Sequence, residues 1–193
     1  MSFSLFSIPL LPAALAALAG ATLWSLAEYL LHRFLGHDRR TMPNPFGDEH
    51  TRHHREGDYF APTWKKALVA LGAVPVLGAL AALIIGAPLG MVFAVSFVAT
   101  YAGYEWLHRR MHTHRGVGAY GRFVRRHHFH HHFGSPRVNH GVTTPIWDLA
   151  FGTYQAPARI RVPHRLTMRW LVDDATGDVR ADLAPYYEMR RAA

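Results

Sequence analysis

The sequence predicts an all-α integral membrane protein with about three transmembrane helices and a helical, histidine-rich cap on the cytosolic side. Two apolar stretches support this prediction: residues 3–31, where Glu28 is the only charged side chain, and residues 67–104, which contain none. The third observation is compositional, since 15 of the 193 residues are histidine. Such a histidine content needs a chemical explanation.

The first stretch is long enough for one membrane crossing, because about 20 residues span the hydrocarbon core. We expect this span to begin near Pro12, since proline is favoured at helix starts, and to end near Leu31. No basic residue precedes the run, which argues against a secretory signal peptide. The second stretch has room for two crossings, with a turn at 86–88. The sequence therefore predicts one span followed by a helical hairpin.

The positive charge is confined to two segments of the chain. All 21 lysines and arginines lie in 33–66 or 109–191, and the net charge is +8. Because basic flanks stay on the cytoplasmic side, we expect both segments on that face, in contact with anionic lipid and not with nucleic acid. Arginine is favoured over lysine among these residues, which suggests a GC-rich genome and a bacterial inner membrane. The absence of cysteine excludes disulfides, thiolate-ligated haem and iron–sulfur clusters.

Ten histidines form four clusters next to the predicted spans. They are His32 and His37, then His50, His53 and His54, then His108 and His112, and finally His128, His131 and His132. Residues three or four apart share a helix face, whereas adjacent residues diverge by about 100°. Adjacent rings therefore point at different targets, as two neighbouring metal ions would require. Ten imidazoles would give each ion about five ligands and leave an open position.

The spacing of His32 and His37 does not fit one face of a continuous α-helix. We expect Gly36 to form a helix C-cap at which the chain turns and brings His37 back. Neutral imidazole binds iron, copper, zinc and nickel, so these ligands do not select the metal.

Alternatives remain open for the other histidines and for each single residue. Any one of them can be a surface group that titrates or binds anionic lipid. The run at 127–132 also permits His127, His130 and His131 as its ligand set. The five without ligand spacing are His114, His127, His130, His140 and His164.

Two carboxylates support a metal site. Glu28 lies four residues before His32, and Glu105 lies three before His108, each at the end of an apolar span. A carboxylate at that depth is costly without a partner, and metal-bound histidines usually donate their second ring N–H to such a group. We expect both to orient metal ligands; the alternative is a carboxylate that reaches out to the membrane interface.

The four clusters stand in the motifs HRFLGH, HTRHH, HRRMH and HFHHH, and the block NHGVTTPIWDLAFGTY follows at 139–154. In this order, over about residues 24–154, they resemble the fatty acid hydroxylase/sterol desaturase superfamily of membrane non-haem di-iron proteins, and most closely its fatty acid hydroxylase branch. The resemblance implies that all ten clustered histidines are metal ligands. It also implies a hydroxylase-like domain at 24–154 with its hairpin at about 67–107, preceded by the apolar segment 1–31 and followed by a polar tail at 155–193.

The resemblance further implies an enzyme, an oxidoreductase that uses O2 to hydroxylate a lipid C–H bond. Its cofactors would be two iron ions, with zinc able to replace them in purified protein. Its substrate would come from the bilayer, and its electrons from a separate donor, either a cytochrome b5-like protein or a ferredoxin with its reductase. The alternatives are a sterol- or carotenoid-type hydroxylase, a desaturase, a non-catalytic membrane metal-binding protein and a basic membrane-surface adaptor.

The block at 139–154 is interpreted as a packed cap. Trp147 and Phe151 are four residues apart, and Gly152 allows a tight turn. We expect them, with Asn139, to pack over the site, and Asp148 to tether a histidine or an arginine without a part in the chemistry.

Overall fold

The computed structural model describes residues 8–116 and 118–190, and these are mostly helical. The predicted helical fold is confirmed. A π-helical segment, Leu31–Gly36, continues the first helix. The α-helices of the described chain are α1 (Leu10–Leu30), α2 (Pro45–Glu56), α3 (Thr63–Ile85), α4 (Ala87–Thr113), α5 (Gly118–Phe133) and α6 (Ile146–Ala150). The strands are β1 (Ile160–Pro163) and β2 (Tyr187–Arg190). The predicted apolar segment 1–31 begins outside the described residues.

Three of these segments are long and apolar enough to cross a membrane. They are Leu10–Gly36, Thr63–Ile85 and Ala87–Thr113, as the sequence predicts. Their large apolar side chains point outward: Leu83 and Ile84 are each 85% exposed. Apolar surface of this extent needs a lipid or protein partner, and the three helices support an integral membrane protein.

The helix ends differ slightly from the sequence-based expectation. α1 begins at Leu10, so Pro12 lies inside its first turn, where proline is tolerated. The hairpin turn is shorter than predicted, because Gly86 alone separates α3 from α4. Its φ of +82° lies in the left-handed region that glycine adopts without strain.

The chain divides into two compact units. The span unit comprises Ala61–Glu105 with the chain up to Ala27, and the histidine unit comprises Glu28–Phe60 with the chain from Trp106 onward. In the span unit, α1 and α4 touch at Gly20, where an added Cβ would overlap the carbonyl oxygen of Phe93. The Ser96 hydroxyl donates to the carbonyl of Ala17 at 2.6 Å. Small residues at such contacts allow close helix packing in membranes.

In the histidine unit, α2 has well-formed ends. The Asn44 side chain caps the helix by accepting from the N–H of Gly47, and Pro45 occupies the first position. The C-terminal end is closed by Gly57, with φ of +76°. These ends fix the short helix that carries His50, His53 and His54.

The polar C-terminal tail folds into a small core. β1 and β2 pair in parallel, with Ile160 opposite Tyr187. Ile160 and Tyr187 pack with Leu171 around Phe129 of α5, which is fully buried. Phe129 is the residue that interrupts the histidine run, so the tail anchors the helix that carries the last histidine cluster.

Candidate metal centre

The ten clustered histidines come together in two groups of five. Within each group, one ring nitrogen per residue lies within 4.8 Å of all the others. Group A contains His32, His37, His50, His54 and His131. Group B contains His53, His108, His112, His128 and His132. Neutral imidazole nitrogens at this spacing could hold one metal ion per group.

Adjacent histidines separate into different groups, as helix geometry predicts. On α2, His54 belongs to group A and His53 to group B. On α5, His131 belongs to group A and His132 to group B. The groups are neighbours, because the rings of His54 and His132 stack with centroids 3.9 Å apart and planes inclined by 4°.

The π-helical segment Leu31–Gly36 brings His32 and His37 together. A π-helix bonds residues five apart, and so places both rings in group A. The predicted C-cap at Gly36 is therefore wrong, since Gly36 is the last residue of this segment and His37 follows with φ of −131°. Gly36 has another role: an added Cβ would lie 3.0 Å from the ring of His50.

Backbone carbonyls orient several of the rings. Nδ1 of His131 lies 2.8 Å from the carbonyl oxygen of Val138, and Nδ1 of His53 lies 2.7 Å from that of Tyr59. Nδ1 of His32 contacts the carbonyl oxygen of His140 in the same way. A carbonyl can only accept, so Nδ1 carries the proton in each ring and Nε2 keeps its lone pair.

The spacing of these lone pairs fits a bound cation. Nε2 of His131 lies 2.9 Å from Nε2 of His32, and neither atom carries a proton to share. It also lies 2.8 Å from Nε2 of His37. Two nitrogens bound at right angles to one metal at about 2.1 Å would lie about 3 Å apart. The residues of group A therefore fit a metal ion at the point where the lone pairs converge.

The protonation states and the buried atoms agree with this fit. Burial, reinforced by neighbouring histidines, lowers the pKa of His37 to about 4 and that of His54 to about 2. It also lowers the pKa of His131, so these rings are neutral near pH 7. In group B both ring nitrogens of His132 are buried and have no hydrogen-bond partner among the described residues. Buried polar atoms rarely lack a hydrogen-bond partner. A metal ion bound to one ring nitrogen of His132 would explain why that atom has none.

From the run at 127–132, the two groups contain His128, His131 and His132. His127 contacts Asp148, with Nε2 3.1 Å from Oδ2, and His130 lies outside both groups. Of the alternative ligand set His127, His130 and His131, His131 is the member that belongs to one of the two groups. The ring of His140 packs beside group A, with its centroid 5.3 Å from that of His131, and its carbonyl oxygen holds His32. His114 and His164 also lie outside the groups.

The two carboxylates make contacts other than the expected ones. Glu28 does not hold the ring of His32: its carboxylate accepts from the N–H groups of Val142 and Thr143 and from the Thr143 hydroxyl. Glu28 thus fixes the loop that contains His140, and the carbonyl of His140 holds the ring of His32. The effect of Glu28 on that ring is therefore indirect. In the span unit, Glu105 forms an ion pair with Lys66. Spacing along one helix could not reveal either partner, because both lie far away in the chain.

Asp148 is the centre of a buried hydrogen-bond network in the block at 139–154. Its carboxylate accepts from the N–H groups of His140 and Gly141 and from the Thr153 hydroxyl, each at 2.8 Å, and it contacts His127. Burial alone would raise the pKa of Asp148, but these hydrogen bonds lower it. The carboxylate therefore stays charged and holds the loop behind group A.

The rest of the block makes ring contacts and backbone hydrogen bonds. Phe151 stacks on Tyr29 with centroids 5.3 Å apart, and lies 6.3 Å from Trp147. Asn139 adopts φ of 58° and exchanges hydrogen bonds with the backbone of Gln155. Gly152, with φ of +67°, closes the turn after α6.

Three apolar helices long enough to cross a membrane, with two neighbouring groups of five histidines that could each hold a metal ion, define the class of protein to which this chain belongs. A family model described as "Fatty acid hydroxylase" matches residues 17–153. The chain therefore belongs to the fatty acid hydroxylase family, in agreement with the resemblance of its motifs.

Comparison with individual known proteins agrees with this family assignment. The chain is 32% identical to a "Fatty acid 2-hydroxylase" of Homo sapiens over 69% of its own length and 38% of that protein. It is 28% identical to a "Ceramide very long chain fatty acid hydroxylase" of Saccharomyces cerevisiae, over 72% of this chain and 37% of that one. The chain thus spans under two-fifths of these relatives. A solved structure described as full-length scs7p with only the hydroxylase domain visible shares the fold, with a TM-score of 0.61 at 24% identity over 79% of this chain and 60% of that one.

Proposed function

We propose that this protein is a membrane oxidoreductase that hydroxylates a C–H bond of a fatty acyl or related lipid, using O2 and two iron ions. The observation that carries the proposal is the pair of five-histidine groups, in each of which one ring nitrogen per residue lies within 4.8 Å of the others. The family and its relatives named as fatty acid 2-hydroxylases support the reaction class. We propose all ten grouped histidines as the ligands, within a domain at 24–154.

The residues of the chain provide binding and orientation. When bound, a pair of iron ions would supply the activation of O2 and the oxidation of the C–H bond, with zinc able to take its place in purified material. The backbone carbonyls of Val138, Tyr59 and His140 hold three rings with Nε2 facing the group centres. Asp148 and Glu28 keep the carbonyl-bearing loop in place. Fixed ligands of this kind lower the reorganisation needed on binding.

The remaining components of the proposal are external to this chain. We propose that the lipid enters from the bilayer and that electrons come from a separate donor, a cytochrome b5-like protein or a ferredoxin with its reductase. We also propose a bacterial inner membrane, with the metal site on the cytoplasmic face. The confinement of basic residues to 33–66 and 109–191 supports this orientation.

Lipid mass spectrometry of cells that produce the protein tests the reaction. We expect lipids heavier by one oxygen atom in cells with the wild-type chain, and none in cells with His131→Gln. His164→Gln, which alters a histidine outside both groups, is the matched control and keeps the product.

Other products contradict specific parts of the proposal. Loss of two hydrogens without oxygen gain identifies a desaturase. Bound metal with no lipid change and no O2 consumption, when donor and lipid are supplied to purified protein, identifies a non-catalytic metal-binding protein and overturns the proposal.

A further inference from the structure

A basic cavity lies in the histidine unit, and its lining residues belong to neither histidine group. Its volume is about 530 Å³, within the range of small-molecule sites. It is lined by α5, by the loop before it and by the C-terminal tail, and four arginines face it: Arg115, Arg122, Arg125 and Arg126. Nothing in the proposed hydroxylase reaction uses these side chains.

Arg125 is the buried member of this set, at 4% exposure. Its guanidinium lies on the ring of Trp170, 4.1 Å from the centroid, and donates to the carbonyls of Arg110 and His114. The Nε atom of Arg125 has no hydrogen-bond partner among the described residues. These residues also provide no carboxylate that forms an ion pair with its guanidinium. Burial lowers its pKa to about 10, so it stays charged at neutral pH. A buried charge of this kind is costly unless an anion accompanies it.

The neighbouring arginines increase the positive charge of the cavity. Arg126 lies over the ring of Tyr186, 4.5 Å from the centroid, and Arg122 is exposed. The one carboxylate of the lining, Asp182, pairs with Arg115 and Arg180. The aromatic rings therefore hold guanidinium planes in place, and the cavity keeps an excess of cations.

We propose that this cavity binds a phosphate group, either of a lipid headgroup or of a free phosphate compound. Guanidinium planes bind phosphate oxygens with paired hydrogen bonds, and stacked arginines lose little freedom on binding. The cavity is much larger than a single phosphate, so it has room for the molecule that carries one.

Phosphate binding by the purified, metal-loaded full chain in detergent is the first test. Inorganic phosphate is titrated by calorimetry against sodium chloride of equal ionic strength. We expect saturable binding to wild type and about tenfold weaker binding to Arg122→Gln, the loss expected for one charge-assisted hydrogen bond. Arg125→Lys keeps the positive charge but loses the paired N–H donors of the guanidinium, and it is expected to weaken binding similarly. The exposed Arg39→Gln is the control and binds as wild type.

Repetition in vesicles distinguishes the source of the phosphate. A lipid headgroup predicts that phosphatidylglycerol vesicles weaken inorganic phosphate binding to wild type compared with phosphatidylcholine vesicles. A free compound predicts equal binding in both, and either result supports the cavity as a phosphate site. Wild type that prefers phosphate no more than chloride, or a folded Arg122→Gln variant that binds as wild type, overturns the proposal. Hydroxylase activity is not part of this readout.

Discussion

Three ring nitrogens surround Nε2 of His131: those of His37, His32 and His54 lie 2.8, 2.9 and 3.2 Å away. The carbonyl of Val138 holds the opposite nitrogen of His131. This ring therefore has a fixed tautomer and the most direct contacts within group A. At the residue scale, it is the proposed metal ligand whose loss should disturb group A most directly.

Replacement of His131 by glutamine is expected to lower the metal content of the purified protein by about half or more, since group A loses a central ligand. Inductively coupled plasma mass spectrometry measures this content. The His164→Gln variant should match wild type. An unchanged content in a folded His131→Gln variant would mean that this histidine binds no metal.

Asp148 gives a second prediction at this scale. An asparagine side chain at this position cannot accept from all of the donors that surround the carboxylate, so Asp148→Asn should cost about 3 kcal/mol. For a chain of this size, that cost corresponds to a fall in Tm of about 6–12 °C. The exposed Asp174→Asn is the control and should change Tm little. Equal Tm values for the two variants would contradict the network described here.

The partners of individual residues were only partly predictable. Helical spacing correctly separates His53 from His54, because adjacent side chains on a helix must diverge. The same reasoning assigned Glu28 to the wrong partner. Glu28 contacts a loop more than 100 positions away, and local spacing contains no information about such contacts.

At the element scale, α5 presents different faces to different partners. It directs His128, His131 and His132 toward groups A and B, and Phe129 into the core of the tail. The tail also contacts α4 directly, because the Trp170 indole N–H donates to the carbonyl of His112 at 2.9 Å. The tail therefore supports two helices that carry grouped histidines. Its short strands carry too weak a pattern to be predicted from this sequence.

The hairpin of α3 and α4 depends on a glycine contact. An added Cβ at Gly90 would lie 2.6 Å from the backbone nitrogen of Ala82, whereas one at Gly103 would meet nothing within 4 Å. Gly90→Ala should therefore destabilise the protein by about 1–3 kcal/mol. Gly103→Ala, on the same helix, should be neutral or stabilising, because alanine favours helix. Thermal unfolding in detergent compares them, and a Gly90→Ala variant as stable as wild type would refute the close contact.

The π-helical segment shows what an element-level prediction misses. The sequence correctly indicates that His32 and His37 must converge despite a spacing of five, but a glycine cap is the commoner way to turn a chain. A π-helical turn achieves the same convergence inside the final turn of the helix, before the helix ends at His37. Composition does not distinguish these two solutions, since both accept glycine at position 36.

At the scale of the whole molecule, the apolar stretches predict the three long helices because length and composition alone define a possible span. The location of both basic segments on the cytoplasmic face stays a prediction. The proposed metal centre draws its histidines from four parts of the chain, and their association was predictable from the chemistry of imidazole and from helical spacing. The central claim is that this association exists to hold two ions.

Anomalous X-ray diffraction at the iron edge, on crystals of the iron-loaded protein, tests that claim most directly. The account predicts two peaks per chain, one among the five rings of group A and one among those of group B. A map with no peak in either group, or with iron bound elsewhere, would contradict it.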